Sequence, residues 1–292
     1  MASTELLAAD EGAGRRESRA RGADGGESRR PHRGRWRGRL RRLLLPTATV
    51  VVVLALVDVG IRLGVITSQL PLVTDVIATM WRMVTSASIW IATWQTLWAC
   101  FAGLLLAFVT AVPLGVLLAS RPLVWRAVRV PVEFLRPIPS AAILPLFILM
   151  FGTSQTGTVA LVFYGSFWVL LMQTLYGVLD VEPTAVDTGR AYGLSPLQRF
   201  WRIVVPSTLP YIATGLRLSV AFALLGAVMK ELVVGGSVGL GYQLALAQQG
   251  SNMTLMFAIT AFIGLIGMAL NALVTIAEAR VLRWHTAHRP KE

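Results

Sequence analysis

The sequence predicts an all-α integral membrane protein with six transmembrane helices, and three observations carry that prediction. Its 292 residues are 55% hydrophobic and 14% charged, with a mean hydropathy of +0.64, outside the range of soluble globular domains. Six segments approach the roughly 20 apolar residues that a hydrocarbon core about 30 Å thick requires. Lysines and arginines alternate between the connecting segments as six spans with both termini on the cytoplasmic side demand.

The formal charge of +12 does not mark a nucleic-acid partner. Twelve arginines and six acids fall in positions 1–42, so half of the excess belongs to one Gly-, Ser- and Arg-rich arm with few apolar residues. Such an arm cannot bury a core and is expected to be disordered; it either touches anionic lipid headgroups or is a solvated tail. Cys100 is the one cysteine, which excludes an intramolecular disulfide, and its place between Ala99 and Phe101 reads as buried packing. Residues 43–284 then form the membrane domain and 285–292 a short cytoplasmic tail.

The first span runs from about Leu43 to Val65, the second from Thr93 to Leu118 and the fourth from Thr158 to Leu179. Arg41 and Arg42 precede the first, which raises a cleaved or twin-arginine signal; five further hydrophobic segments favour an anchor flank instead. The fifth span, Thr208 to Val233, holds Arg217 near one end and Lys230 and Glu231 near the other, and the sixth runs from Leu255 to Ala279. The third, Pro137 to Phe151, is short and contains Pro137, Pro139 and Pro145, so it is either a kinked span that begins earlier or a re-entrant segment. Counting it as a span puts twelve basic residues in the N-terminal arm, four in 119–136, three in 181–206 and four at the C-terminal end on one side, against Arg62 and Arg82 on the other. That imbalance places both termini in the cytoplasm of a cell-membrane protein.

Between spans four and five the chain reads as helix, glycine, helix. Pro183 suits a first helical position and Gly193 the left-handed residue past a helix end. Ser195 caps a second helix starting at Pro196, in which Leu197, Phe200, Trp201 and Val204 share one face and Gln198, Arg199 and Arg202 the other; Pro206 is expected to stop it. From periodicity alone, this is an interfacial helix on the lipid surface.

The residues at this place also carry a family resemblance. Asp187-Thr-Gly, three residues, Gly193, nine residues, Ile203, one residue, Val205-Pro206 resembles the EAA loop of ABC importer permeases, with the spacing kept and Asp187, Thr188, Gly189 and Val205 departing from the usual residues. The resemblance extends over roughly residues 43–284 and is closest to permeases of the nitrate, sulfonate and taurine group. Arg136-Pro-Ile-Pro139, Leu144-Pro145, Phe151-Gly152, Gly193-Leu-Ser-Pro196, Leu209-Pro210, Gly215-Leu-Arg217 and Gly239-Leu-Gly-Tyr242 carry it. It implies a type I ABC importer-like fold with a cytoplasmic coupling-helix loop, 183–206, between helices 4 and 5. It also implies a permease homodimer on a dimer of ATPase subunits, fed by an extracytoplasmic solute-binding protein.

The phosphate-cradling Gly-x-x-x-x-Gly-Lys-Ser/Thr motif is absent, and Lys230 and Lys291 each precede a glutamate. This chain is therefore expected to bind no cofactor and to be no enzyme, with ATP and Mg used by the partner ATPase. The residues implied in coupling are Asp187, Gly193, Leu197, Phe200, Trp201, Ile203 and Pro206. Glu231, Gly239, Gly241 and Tyr242 border the outer loop 234–254, which also holds Gly235 and Gly236, and are candidates for an outer gate or receptor contact, with a flexible loop as the plainer account. Asp58, Lys230 and Glu231 lie toward the outer ends, where local ion pairing or headgroup solvation would satisfy them, and Arg217 and Glu278 sit near the cytoplasmic ends. Gly215, Ser219, Ala223 and Ala227 recur every four residues and predict close helix packing. His285 and His288 are too few for a metal site, and no catalytic constellation appears. An ion-gradient-driven carrier or channel remains the rival, weakened by the lack of a central carboxylate pair; a membrane scaffold is the third reading.

Overall fold

The computed structural model describes residues 34–64, 70–234 and 238–282, and every regular element among them is helical. The Arg-rich arm up to residue 33, Gly235, Gly236, His285 and His288 lie outside the described residues. Eleven α-helices follow in order: α1 (Gly34–Arg62), α2 (Val73–Val84), α3 (Ala87–Ser120), α4 (Pro122–Leu135), α5 (Ser140–Phe151), α6 (Gln155–Leu179), α7 (Pro183–Ala191), α8 (Pro196–Arg199), α9 (Val205–Val234), α10 (Leu240–Gln249) and α11 (Met253–Val281). A π-turn, Phe200–Val204, joins α8 to α9. The chain divides into two compact units, residues 1–56 and 57–292, and α2 to α11 belong to the second. Helix α1 begins at Gly34, inside the segment expected to be a disordered arm.

Among the described residues, four helices are long and apolar enough to cross a membrane: α3, α6, the combined rod Pro196–Val234 and α11. The pair α4 and α5 makes a fifth if counted as one span, but the two are bent by 92°. The expected third segment is thus broken, as its prolines indicated, being either a kinked span that begins earlier, with α4, or a re-entrant segment. Pro137 and Pro139 cannot donate to a helical ladder, so the chain breaks there and restarts at Ser140. Arg136, read from the sequence as a cytoplasmic flank, lies at this break, with its Nη1 3.5 Å from the Tyr176 hydroxyl of α6.

Helix α6 is the centre of the unit, packed along α3 on one side and α9 on the other. Small residues permit the approach. A Cβ on Gly103 would lie 2.7 Å from the Val159 carbonyl oxygen, and one on Gly177 would lie 2.6 Å from Tyr211 Cβ. The predicted stripe Gly215, Ser219, Ala223 and Ala227 is buried. Ser219 Oγ donates to the Ser166 carbonyl at 3.3 Å and Ser166 Oγ to the Ser219 carbonyl at 3.4 Å, a reciprocal pair of the kind that joins helices in lipid. Cys100 is buried beside Val162, Ala223, Leu224 and Ala227, as expected for packing. Arg217 and Glu278 approach to 3.7 Å between α9 and α11.

Helix α2 is amphipathic and was not anticipated from the sequence. At 12 residues it is too short for a search tuned to spans. Its first turn is capped from outside: Asp58 accepts the Val73 N–H at 2.9 Å and the Thr74 N–H at 3.4 Å while pairing with Arg62 at 2.8 Å. Asp58 is thus a structural acceptor at a helix N-terminus, where a carboxylate is favourable.

Candidate functional site

The loop 183–206 is a rigid turn built from local capping. Pro183 opens α7, and Gly193 closes it at φ +74°. The Gly193 N–H donates to Arg190 O at 2.9 Å and the Leu194 N–H to Gly189 O at 3.0 Å, the two bonds of a Schellman ending. Two residues on, Ser195 and Gln198 form a capping box: Ser195 Oγ accepts the Gln198 N–H at 3.3 Å, and Gln198 Oε1 accepts the Ser195 N–H at 2.9 Å. The sequence expectations for Gly193, Ser195 and Pro196 hold.

Pro206 does not stop the helix. The π-turn widens the ladder so that the Val205 N–H bonds to Phe200 O, and Pro206 falls in the opening turn of α9, where its missing N–H leaves no gap. Residues 196–234 consequently form one rod of 39 residues. Gly189, one of the departures from the EAA pattern, is buried under this turn. A Cβ there would lie 2.8 Å from Ile203 Cδ1 and 3.3 Å from Arg199 Cγ, so the glycine lets α7 close onto the rod.

Of the residues predicted to couple, Leu197 and Trp201 are 68% and 61% exposed. Phe200 packs edge-on against Trp201, with ring centroids 5.4 Å apart, and Ile203 is half-buried against Gly189. Asp187 is exposed and pairs with Arg190 at 3.1 Å. Sequence reasoning left Arg199 as one residue of a polar face. Its Nε and Nη1 are enclosed and have no hydrogen-bond partner among the described residues, beside the exposed Trp201.

At the other end of the rod, Glu231 is 3% exposed and Lys230 fully buried, without the ion pairing or headgroup solvation expected of them. Thr96 Oγ1 of α3 points its hydroxyl at both Glu231 oxygens (3.0 and 2.8 Å), and the Gly241 N–H donates to Glu231 Oε2 at 3.0 Å. The Leu240 N–H donates to Thr96 Oγ1 at 2.9 Å. Lys230 Nζ donates to the carbonyls of Thr153 and Ser154 at 3.2 and 2.8 Å, holding the α5–α6 turn. A Cβ on Gly239 would overlap the Glu231 carboxylate, and one on Gly241 would press on the Val228 carbonyl and Glu231 Cβ.

The structure therefore brings Glu231, Gly239 and Gly241 together as an internal latch; Tyr242, half-buried in the first turn of α10, makes no hydrogen bond to it. The latch residues are enclosed and cannot touch a docked protein in this conformation. About half of the loop 234–254, Leu240–Gln249, is helical, as α10. Beside it lies a polar cavity of about 670 Å³ between α2, α3, α10 and α11, lined by Asp75, Thr79, Arg82, Ser88, Gln243 and Asn252.

Comparison with known proteins decides the family. The sequence profile of the binding-protein-dependent transport system inner membrane component matches residues 111–283. This chain belongs to that family. The permease is 33% identical over 181 residues to the nitrate import permease protein NrtB of Leptolyngbya laminosa, a match covering 62% of this chain and 64% of that one. It is 27% identical over 261 residues to the putative aliphatic sulfonates transport permease protein SsuC of Bacillus subtilis, covering 89% and 92%. Among solved structures, the MetNI methionine ABC transporter in inward-facing conformations shares the fold, with a TM-score of 0.55 at 24% identity over 65% of the permease and 92% of that chain.

Proposed function

We propose that the permease is the translocation subunit of an importer for a small polar or anionic solute of the sulfonate, nitrate or taurine kind. It works as a homodimer in the cell membrane, with both termini and the loop 183–206 in the cytoplasm. A separate ATPase dimer, using ATP and Mg, docks on Leu197, Phe200 and Trp201, and a binding protein delivers solute to the opposite face, where the polar cavity opens.

The observation that carries this reading is a stiff, doubly capped turn that exposes Leu197 and Trp201 and continues without a break into a membrane-long helix. Exposed apolar anchors supply affinity, and an unbroken helix transmits displacement. Asp187 and Gly193 act indirectly: Gly193 sets the turn, and Asp187 holds Arg190. Closure of the ATPase dimer moves the turn, and the spans follow from one side-opening to the other.

Co-purification tests the reading. Tagged wild-type chain should bring down its ATPase, and the double variant Gly193→Pro, Phe200→Asp, still inserted and monodisperse, should not. An association that survives in the double variant refutes the assignment of the docking element.

A further inference from the structure

We propose that the break between α4 and α5 is an anion-holding station on the translocation path, with Arg136 as the residue that reads the solute's charge. The proposal rests on the importer reading above and adds the place and the residue.

The station lies well inside the span. Helix α6 is 25 residues long, and Tyr164 stands nine residues after its first and fifteen before its last, about 14 and 22 Å along the axis. The Tyr164 hydroxyl donates to Leu135 O at 3.1 Å and lies 3.5 Å from Ile138 O, so the break is pinned to the middle of α6 and away from its ends. The backbone of the break thus lies toward the middle of α6, and the Arg136 side chain runs from it toward Tyr176, three residues before the end of that helix.

The charge at this depth is uncompensated. Arg136 makes no ion pair among the described residues, and its one polar side-chain contact is the 3.5 Å approach to Tyr176. The nearest acid in sequence, Glu133, is engaged by Arg129 at 2.7 Å, and Asp180, one turn beyond Tyr176, accepts the Tyr211 hydroxyl at 2.5 Å. A lone guanidinium at membrane depth is costly and marks a solute or ion path when it faces a cavity.

Such a cavity is present. A space of about 340 Å³ is lined by Arg136, Ser140, Tyr164, Gln173 and Tyr176, with an apolar wall that includes Phe222. Its lining contains one cation, three hydroxyl or amide groups able to donate (Ser140, Gln173 and Tyr176) and no carboxylate, the Tyr164 hydroxyl being engaged by Leu135 O. That set repels cations and suits a small oxyanion, such as nitrate or a short sulfonate head. The single loose contact of Arg136 leaves its fork free, and the modest number of donors holds the anion weakly enough for release.

The test uses the full complex of permease, ATPase and binding protein in proteoliposomes, with labelled nitrate and labelled ethanesulfonate as probes. Arg136→Gln should lower ATP-driven uptake of the transported anion by about tenfold or more. Assembly with the ATPase and thermal stability should stay at wild-type values, and Arg136→Lys should restore a large part of the uptake. Wild-type uptake by Arg136→Gln overturns the proposal and leaves the importer reading intact. Loss of uptake matched by loss of assembly or stability also overturns it, because Arg136 would then be a packing residue. If the wild-type complex carries neither anion, the anion-importer reading fails first and this proposal with it.

Discussion

Thr96 and Glu231, 135 residues apart in the chain, meet inside the bundle with the threonine hydroxyl 3.0 and 2.8 Å from the two carboxylate oxygens. Because Thr96 Oγ1 also accepts the Leu240 N–H, one hydroxyl joins α3, α9 and the start of α10. Thr96→Val keeps the shape but strips a donor from a buried carboxylate and an acceptor from a buried N–H. Its expected cost is about 1–3 kcal/mol, read as a lower melting temperature of the purified protein. Thr96→Ser, which keeps the hydroxyl, should recover most of the loss.

Gly241→Ala should be at least as damaging. The added methyl meets the Val228 carbonyl and lies 2.7 Å from Glu231 Cβ, so α10 has to move off α9. Monodispersity and melting temperature should both fall. A silent Gly241→Ala would mean that α10 is free to shift.

Gly189→Ala restores a residue of the EAA pattern yet should weaken this loop, because the new Cβ would stand 2.8 Å from Ile203 Cδ1. Ile203→Val removes that methyl and should relieve the strain. A double-mutant cycle on stability is expected to give a favourable coupling of about 1 kcal/mol between the two changes. Strict additivity would rule out the contact.

Folding and docking separate at Arg199 and Trp201. Arg199→Ala removes two enclosed, unpartnered nitrogens and should leave the melting temperature unchanged or higher. Trp201→Asp, at a side chain already 61% exposed, should abolish association with the ATPase at an unchanged melting temperature. Loss of stability in both would place these residues in the packing of the permease itself.

The turn 183–206 was legible because its instructions are local: Gly193, Ser195 and Pro196 each act on neighbours within a few residues, through caps that sequence spacing encodes. The Gly215–Ala227 stripe was legible for the same reason of periodicity. Pro206 misled because the rule that proline ends a helix assumes an α ladder, and the π-turn changes the register just before it. Lys230 and Glu231 misled for the opposite cause. Their partners, Thr153, Ser154 and Thr96, lie 76 to 135 residues away, and no local pattern announces such contacts. The break at Arg136 was half visible: the prolines showed a kink, but the depth of the arginine is set by Tyr164 on another helix.

The π-turn has a mechanical consequence. Since residues 196–234 are one rod, about 58 Å long at 1.5 Å per residue, Trp201 and Glu231 stand toward opposite ends of a single lever. Tilting it about its packed middle on α6 sends the two ends opposite ways, so a push at the 183–206 turn strains the Thr96–Glu231–Gly241 clasp without any relay of intermediate contacts. The clasp then acts as a detent: its strength sets how far the turn must be driven before the opposite end of the rod changes state.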